Sequence, residues 1–338
     1  MADYASLIPV NVITGFLGSG KTTLLQGLLA SPDMADTAVL INEFGEIALD
    51  HHLLTRVDAS TAVLSSGCVC CTVRDDLVPA IRGLFSRRER GEIPRFRRLV
   101  IETSGLVDPS SIAFTVLREP VLQHHFRLGN VVTTVDAVNA RTQLESFPES
   151  LRQVALADRI VLTKTDLCEP GAIPPLLARL REINPAASVR DSASGDVRPG
   201  PLLFEDVYDS EGKMAEVMRW IASAGDAHGA PGHAHTEGIQ SFALTYDRPL
   251  NWVAFGIWLT LLLHRHGQRV LRVKGVLNVE GSATPVAVHG VQHIVHPPVH
   301  LPAWPDAERR SRIVFIVKDL PRAQIEASLD AFNRLGNP

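Results

Sequence analysis

Two short motifs hold the side chains and backbone groups in this chain that could do chemistry. Residues 15–22 read Gly-Phe-Leu-Gly-Ser-Gly-Lys-Thr, and residues 68–71 read Cys-Val-Cys-Cys. The first has the spacing of a phosphate-binding loop, whose glycines let backbone N–H groups face phosphate oxygens. The second gathers three of the four cysteines, and thiolates are preferred ligands of soft transition metals. Together they predict a nucleoside triphosphate site accompanied by a metal site.

The phosphate-loop motif matches Gly-x4-Gly-Lys-Thr at every specified position. It lies between a β-rich run at residues 8–14 and a helical segment at residues 21–29, which is the strand–loop–helix order that the motif requires. We expect Lys21 to reach the β- and γ-phosphates and the Thr22 hydroxyl to ligate Mg²⁺. The predicted phosphate-binding residues are Gly15, Gly18, Ser19, Gly20, Lys21, Thr22 and Thr23.

The base is expected at residues 163–166, Thr-Lys-Thr-Asp, which follow an apolar strand at residues 159–162. Such a loop lies at the carboxyl edge of a parallel sheet, where ligands bind. The Asp166 carboxylate can accept from both N1–H and N2–H of guanine, a donor pair that adenine lacks, and the Lys164 stem can lie along the base. These features favour GTP over ATP. Thr163 stands where guanine-binding loops commonly have Asn, so base selectivity stays open.

Three further segments are expected near the nucleotide. Glu102 ends a strand at residues 98–102, where a carboxylate can hold Mg²⁺ through water; the alternative is a strand-end carboxylate in solvent. Gly105 would let a backbone N–H approach the γ-phosphate. The Ser-Ala-Ser segment at residues 192–194 is placed to close over the edge of the base.

Cys68, Cys70 and Cys71 are the predicted metal ligands. Positions 68 and 70 share one side of an extended segment, and Cys71 stands near the start of a helix predicted over residues 72–85, where the thiolate form is favoured. Zn²⁺ accepts such a set in tetrahedral geometry, and Co²⁺ accepts the same ligands. The alternatives are a redox cluster or packed cysteines.

A fourth ligand is expected from the segment Asn-Glu-Phe-Gly-Glu at residues 42–46, where a nucleotide-sensing switch would lie. Glu43 could complete the metal coordination, and Glu46 could orient a catalytic water. The alternative is an acidic loop in solvent. Auxiliary metal ligands are predicted at His228, His233 and His235, while the role of a second histidine group is left open. That second group comprises His289, His293, His296 and His300.

The composition describes an ordinary soluble chain. Its 338 residues are 45% apolar and 21% charged, with a formal net charge of −4, which gives no reason to expect nucleic acid or a membrane surface as a partner. The start lacks a secretory signal, and the longest apolar stretch, residues 252–263, is too short to span a bilayer. Because crowded thiols persist in reducing compartments, we expect a cytoplasmic protein.

Short apolar strands alternate with helical segments over the first two thirds of the chain. This pattern predicts an α/β fold with a mostly parallel sheet covered by helices on both faces. A stretch rich in Gly, Ala, Pro and His then reads as a flexible linker. The predicted limits are 1–222 for the phosphate-loop domain, 223–238 for the linker and 239–338 for a smaller α+β domain.

The chain resembles the CobW-type GTPases, a family of metal chaperones and metal-insertion proteins, in the motifs GFLGSGKTTLL, NEFGE, GCVCC, ETSGLVDP, TKTD, RVKGVL and RIVFIVKDL. The resemblance implies a P-loop GTPase domain followed by a CobW C-terminal domain. Family members serve zinc supply, cobalamin synthesis or nitrile hydratase activation. The residues that carry over are Lys21 and Thr22 for phosphate and Mg²⁺, Lys164 and Asp166 for guanine, and Cys68, Cys70 and Cys71 for the metal.

The leading hypothesis is a slow GTP hydrolase that acts as a GTP-dependent metallochaperone. Its Mg²⁺–GTP state would organise the cysteine site around Zn²⁺, and hydrolysis would release the ion to a client metalloprotein. The alternatives are a Co²⁺ or iron insertion protein and a GTP-responsive metal buffer without delivery. Whether the chain forms a homodimer is left open.

Overall fold

The computed structural model describes residues 4–41, 73–169, 171–209, 212–226 and 238–336. The NEFGE segment, the three clustered cysteines and the three predicted linker histidines lie outside these residues. The chain divides into two compact units. The first comprises Met1–Leu176 and Val189–Phe204, and the second comprises Leu177–Ser188 and Glu205–Pro338.

The first unit is built on a six-stranded sheet. In chain order the strands are β1 (Ile8–Gly15), β2 (Thr37–Ile41), β3 (Arg98–Glu102), β4 (Phe126–Asp136), β5 (Arg159–Thr163) and β6 (Ser188–Asp191). Their order across the sheet is β2-β3-β1-β4-β5-β6, and the pairings among β1 to β5 are parallel. The helices are α1 (Lys21–Leu29), α2 (Val73–Glu89), α3 (Pro109–Arg118), α4 (Ala140–Ser146) and α5 (Pro148–Leu156). A sixth helix, α6 (Ile173–Ile183), starts in the first unit, and its residues from Leu177 onward belong to the second.

Alternate residues of each central strand pack on opposite faces of this sheet. Leu99 and Ile101 of β3 join a buried cluster with α2 and α3. Val100, between them, joins a different cluster with Leu25 and Leu28 of α1. Because both faces are buried, these positions of β3 are apolar on both sides, as parallel sheets covered by helices require. The predicted α/β architecture is confirmed.

The carboxyl ends of β1, β3, β4 and β5 meet at one edge of the sheet because these strands are parallel neighbours. The glycine loop, the segment after β3 and the segment after β5 all leave from that edge. Helices α4 and α5, which the sequence patterns did not indicate, connect β4 to β5 and also begin there.

The second unit is an antiparallel sheet with helices. Its strands are β7 (Ile239–Tyr246), β8 (Val270–Leu277), β9 (Val286–Val291), β10 (Ile294–Val295), β11 (Val299–His300) and β12 (Ser311–Lys318). The order is β10-β9-β8-β12-β7, with β11 paired to β9. The helices are α7 (Lys213–Asp226), α8 (Trp252–His266) and α9 (Arg322–Gly336). The predicted smaller α+β domain is confirmed as a fold class.

Helices cover both faces of the second sheet. Phe255 and Leu259 of α8 and Leu329 of α9 pack with Phe315 of β12. Trp220 of α7 packs with Ala287 on the other face, which groups α7 with this unit. The predicted limits at 222 and 239 stay a prediction, and α7 extends to Asp226. Within the described residues, we find no helix that is both long and apolar enough to cross a bilayer.

Candidate nucleotide-binding site

The glycine loop is held tightly against β4. At Gly15, whose φ is +140°, an added Cβ would lie 2.3 Å from Thr134 Oγ1 and 2.4 Å from Thr134 O. The Ser19 and Thr134 hydroxyls, both buried, lie 2.6 Å apart. Gly20, with φ 88°, is the N-cap of α1. The loop therefore leads directly into a helix N-terminus, whose partial positive charge favours phosphate.

The cationic and hydroxyl side chains at the start of α1 contact the glycine loop and the end of β3. The Lys21 ammonium donates to the carbonyls of Gly15 and Phe16, both at 3.0 Å. The Thr22 hydroxyl donates to Glu102 Oε1 at 2.6 Å, although the two residues are 80 positions apart in sequence. The structure thus brings together the two residues predicted to hold Mg²⁺.

These two side chains fit the ion chemically. Mg²⁺ prefers hard oxygen ligands such as hydroxyls and carboxylates. Glu102 is only 4% exposed, and a buried carboxylate beside a hydroxyl at the phosphate edge of the sheet is such a donor set. The alternative of a strand-end carboxylate in solvent is wrong, because the carboxylate is buried and hydrogen-bonded.

The segment after β3 is clamped between the glycine loop and α5. An added Cβ at Gly105 would lie 2.5 Å from the Leu17 backbone nitrogen, so the two backbones are in close contact. From the other side, the Gln153 amide donates to Gly105 O at 3.0 Å and to Val107 O at 3.2 Å. Gln153 is 1% exposed. No motif marks this glutamine, and the signal that could have found it is a polar residue among the apolar positions of α5.

The segment after β5 is tied to the glycine loop by Thr163. Its buried hydroxyl donates to Ser19 O at 2.8 Å. Thr163 therefore provides a structural link at the position where guanine-binding loops commonly have Asn. Next to it, the Thr165 hydroxyl donates to Asp191 Oδ1 at 2.6 Å, and the same oxygen accepts from Ala193 N at 2.9 Å. These bonds place the 192–194 segment beside the base loop.

Lys164 is held in one orientation by a buried acid. Its φ of 58° is left-handed, and its ammonium lies 2.7 Å from Asp136 Oδ2. Burial alone would raise the pKa of Asp136, but hydrogen bonds from Lys164 and Asn139 outweigh it, and the pKa lies below its ordinary value. Asp136 is 2% exposed and belongs to none of the sequence motifs, yet it positions the lysine predicted to contact the base.

A cavity of about 490 Å³ lies among these segments, a size common for small-molecule sites. Asp166 and Lys164 line it from the segment after β5, and Ser192 lines it from the segment after β6. It is lined by Gly20, Thr23, Leu24, Gly27 and Leu28, by Thr163, Lys164, Asp166 and Leu167, and by Ser192, Gly195 and Val197.

The described histidines do not assemble a metal site. His289 and His296 stack with ring centroids 3.9 Å apart, and His289 Nε2 lies 3.0 Å from the Tyr208 hydroxyl. His293 Nδ1 lies 3.0 Å from Leu263 O. Over the described ranges, no three or more His, Cys, Asp or Glu residues are grouped to hold a metal ion. Cys168 is half-buried, and its thiol donates to Lys164 O at 3.6 Å.

Comparison with known proteins identifies the family. Residues 9–191 match the CobW/HypB/UreG nucleotide-binding domain, and residues 239–333 match the cobalamin synthesis protein cobW C-terminal domain. The chain belongs to the CobW family of P-loop GTPases. The resemblance seen in the motifs is therefore confirmed, and with it the assignment of this protein as a GTP hydrolase.

Two relatives of this CobW-family GTPase align along nearly all of it. The zinc chaperone YjiA of Escherichia coli is 33% identical over 321 residues, covering 95% of this chain and 97% of YjiA. The zinc chaperone CobW of Pseudomonas aeruginosa is 29% identical over 355 residues, covering 95% of this chain and 90% of that protein. The crystal structure of a Zn(II)-bound YjiA triple mutant, with one glutamate and two cysteines changed to alanine, has a TM-score of 0.71 at 30% identity. It covers 97% of this chain and 99% of that one.

Proposed function

We propose that this CobW-family GTPase is a GTP-dependent metallochaperone that binds Zn²⁺ and delivers it to a client metalloprotein on GTP hydrolysis. The observation that carries the proposal is the contact between Thr22 and Glu102 beside Lys21, in a chain that also contains a Cys-x-Cys-Cys motif. The names of the two relatives, both zinc chaperones, support the metal and the delivery role.

The phosphate site would act chiefly by positioning. Lys21, which donates to two carbonyls of the loop, would reach the β- and γ-phosphates from the start of α1. When Mg²⁺ is bound, Thr22 and Glu102 would hold it, and it would neutralise charge on the phosphate oxygens. No glutamine or arginine is marked by the motifs to supply further charge stabilisation, so we expect slow intrinsic hydrolysis.

The segment around Gly105 is the best placed sensor of the γ-phosphate. It contacts the glycine loop at Leu17 and is fixed from behind by Gln153. A bond formed or lost between the γ-phosphate and the Gly105 N–H would therefore strain these contacts, because the segment has little room to move. We propose that Glu46, in the preceding switch segment of the sequence, responds to the same change.

The metal site we propose consists of Cys68, Cys70 and Cys71, with Glu43 as fourth ligand. Thiolates with one carboxylate suit Zn²⁺ in four-coordinate geometry. The carboxylate would come from the switch segment, so the nucleotide state would determine whether the fourth ligand is in place. The histidines at 228, 233 and 235 would serve as an auxiliary capture site. A Co²⁺ or iron insertion protein, and a metal buffer without delivery, are the alternatives.

A metal titration with two readouts tests the ligand assignment. The Zn(II)-bound YjiA mutant retains metal although two cysteines are replaced, so a bound-zinc count alone is insufficient. Titration with Co²⁺ adds the thiolate-to-cobalt charge-transfer absorption, which reports sulfur ligands only. We expect this band in the native protein with a stoichiometry of one ion, and a weaker band in Cys70→Ser, because two of the three proposed thiolates remain.

The chain supplies a matched control, because Cys168→Ser also removes one thiol. Cys168 is half-buried beside the base loop, and its replacement should leave the band unchanged. A band of native intensity in Cys70→Ser, or a weaker band in Cys168→Ser, would contradict the proposed ligands. Transfer of zinc to an apo-metalloprotein only in the presence of hydrolysable GTP would favour delivery over buffering.

A further inference from the structure

Two aromatic rings meet where helix α5 begins. Phe147 directly precedes Pro148, the first residue of α5, and Phe16 is the second residue of the glycine loop. Their ring centroids lie 4.6 Å apart, with the ring planes inclined at 39°. Aromatic pairs at this spacing attract each other beyond the effect of the apolar area that they bury. The start of α5 is therefore held against the glycine loop.

Neither the core nor the helix cap accounts for a phenylalanine at position 147. The residue is 41% exposed, so it does not fill the core as most phenylalanines do. It is the N-cap residue of α5, a position that favours Ser, Thr, Asp or Asn, and it makes no side-chain capping hydrogen bond. Phe16, by contrast, is 8% exposed. What a phenylalanine provides at position 147 is the ring contact with Phe16.

The Phe16 carbonyl is a fixed point of the glycine loop. It accepts from the Ser19 N–H at 3.1 Å, which closes a turn of the loop, and from the Lys21 ammonium at 3.0 Å. Lys21 is the residue predicted to reach the β- and γ-phosphates. A displacement of Phe16 would therefore move both the loop and the ammonium, and misplacement of a charge-stabilising group slows a reaction.

Helix α5 is held firmly enough to support this contact. Val154 is 1% exposed, so the helix is anchored in the core. The Gln153 amide donates to Gly105 O at 3.0 Å, which ties the same helix to the segment after β3. A packed helix holds a side chain in place better than a loop does. Phe147 therefore fixes the position of Phe16 and does not merely follow it.

We propose that Phe147 is a positioning residue for GTP hydrolysis. Its ring fixes Phe16, and the Phe16 carbonyl in turn holds the Lys21 ammonium at the phosphate edge of the sheet. Phe147 acts on the phosphates through these two residues. The role concerns hydrolysis, on which the proposed metal delivery also depends, but it involves none of the proposed metal ligands.

Phe147→Ala should slow hydrolysis more than it weakens nucleotide binding. We expect kcat to fall about tenfold, which corresponds to about 1.4 kcal/mol and lies within the range of aromatic pair energies. The affinity for GDP should fall by no more than about threefold, because backbone N–H groups of the glycine loop also hold the β-phosphate.

Single-turnover hydrolysis of Mg²⁺–GTP by the full chain tests the proposal, together with equilibrium binding of a fluorescent GDP derivative. A zinc-selective chelator is present throughout, so failure of the metal-delivery proposal would leave the result unchanged. Thermal unfolding is recorded for each variant, and hydrolysis is measured well below the transition, where the protein is folded. Under these conditions a purely structural role would lower the unfolding temperature without changing kcat.

A graded series at position 147 tests whether the ring is the feature that matters. Phe147→Tyr keeps the ring and should hydrolyse GTP within about twofold of the native rate. Phe147→Leu keeps an apolar side chain but loses the aromatic contact. Its rate should lie between those of Phe147→Tyr and Phe147→Ala.

The matched control is Phe114→Ala, which also removes a phenylalanine ring from the first unit. Phe114 is half-buried in α3, and its ring centroid lies 5.8 Å from the guanidinium carbon of Arg118. This variant should hydrolyse GTP at the native rate. Hydrolysis by Phe147→Ala at the native rate would overturn the proposal. A Phe147→Tyr variant as slow as Phe147→Ala, or an equal fall in Phe114→Ala, would also overturn it.

Discussion

Replacing Gly105 with alanine should uncouple the segment after β3 from the glycine loop. The φ of Gly105 lies outside the left-handed region, so alanine fits its backbone conformation. The new Cβ, however, would lie 2.5 Å from Leu17 N and 2.8 Å from Leu17 Cα, against 3.4 Å or more in ordinary contact. The two backbones must therefore separate by about 0.9 Å, and displacement of about 1 Å can cost on the order of 100-fold in rate.

The segment cannot relax freely because Gln153 holds Gly105 O from behind. We therefore expect the kcat for GTP hydrolysis to fall roughly 100-fold. The binding of GDP, which lacks the γ-phosphate, should change little. Single-turnover hydrolysis measures the first quantity, and equilibrium binding of a fluorescent GDP derivative measures the second.

Gly83→Ala is the matched control. Gly83 is an exposed residue of α2 where an added Cβ meets nothing within 4 Å. This variant should hydrolyse GTP normally and gain stability, up to about 1 kcal/mol, from helix propensity. Hydrolysis by Gly105→Ala at the native rate would refute the view that close packing of this segment on the glycine loop positions the γ-phosphate.

Three further substitutions test the contacts around the site. Gln153→Met removes two hydrogen bonds to loop carbonyls, so the activation free energy should rise by about 2 kcal/mol and kcat should fall roughly thirtyfold, with KM nearly unchanged. A fall in kcat accompanied by an equal rise in KM would argue for a general folding defect. Thr163→Val removes one bond to the glycine loop and should weaken GTP and GDP alike by about 1 kcal/mol, roughly fivefold; nucleotide titrations check this, and a selective loss of one nucleotide would contradict it. Asp136→Asn should destabilise the fold at neutral pH, because the folded pKa of Asp136 lies below the ordinary 3.8, and its ionised form therefore stabilises the fold above that pH. The difference from the native protein should shrink as the pH falls through the folded pKa, and urea unfolding across pH would contradict this if the difference stayed constant.

The sequence allowed the strands and the order of the nucleotide segments to be predicted closely. The predicted strands at residues 98–102 and 159–162 match Arg98–Glu102 and Arg159–Thr163 to within one residue, because short apolar runs buried on both faces have sharp ends. The contact between Thr22 and Glu102 was also predictable, since the carboxyl ends of parallel strands converge at one edge of the sheet.

The supporting contacts could not be predicted, because they join residues far apart in sequence. Gln153 and Gly105 are 48 positions apart, and Ser19 and Thr134 are 115 apart. No local pattern encodes such a pair. Each of these polar residues, taken alone, is equally compatible with an exposed helix face or a strand end.

The exposed face of α8 could not be predicted for a different reason. Periodicity shows which residues share a face of a helix, but it does not show which face is covered. Helix α8 is apolar on both its buried side, at Phe255 and Leu259, and its exposed side, at Val253 and Ile257. Only the packed structure distinguishes the core side from the exposed side.

The central claim is that the nucleotide state sets the affinity for zinc, and a competition titration tests it most directly. Zn²⁺ is shared between the protein and a chromogenic chelator in the presence of Mg²⁺–GTP, Mg²⁺–GDP or no nucleotide, with Lys21→Ala as the variant that should not respond to GTP. We predict much tighter zinc binding with GTP than with GDP in the native protein. Equal affinity in all three states would contradict nucleotide-gated metal delivery.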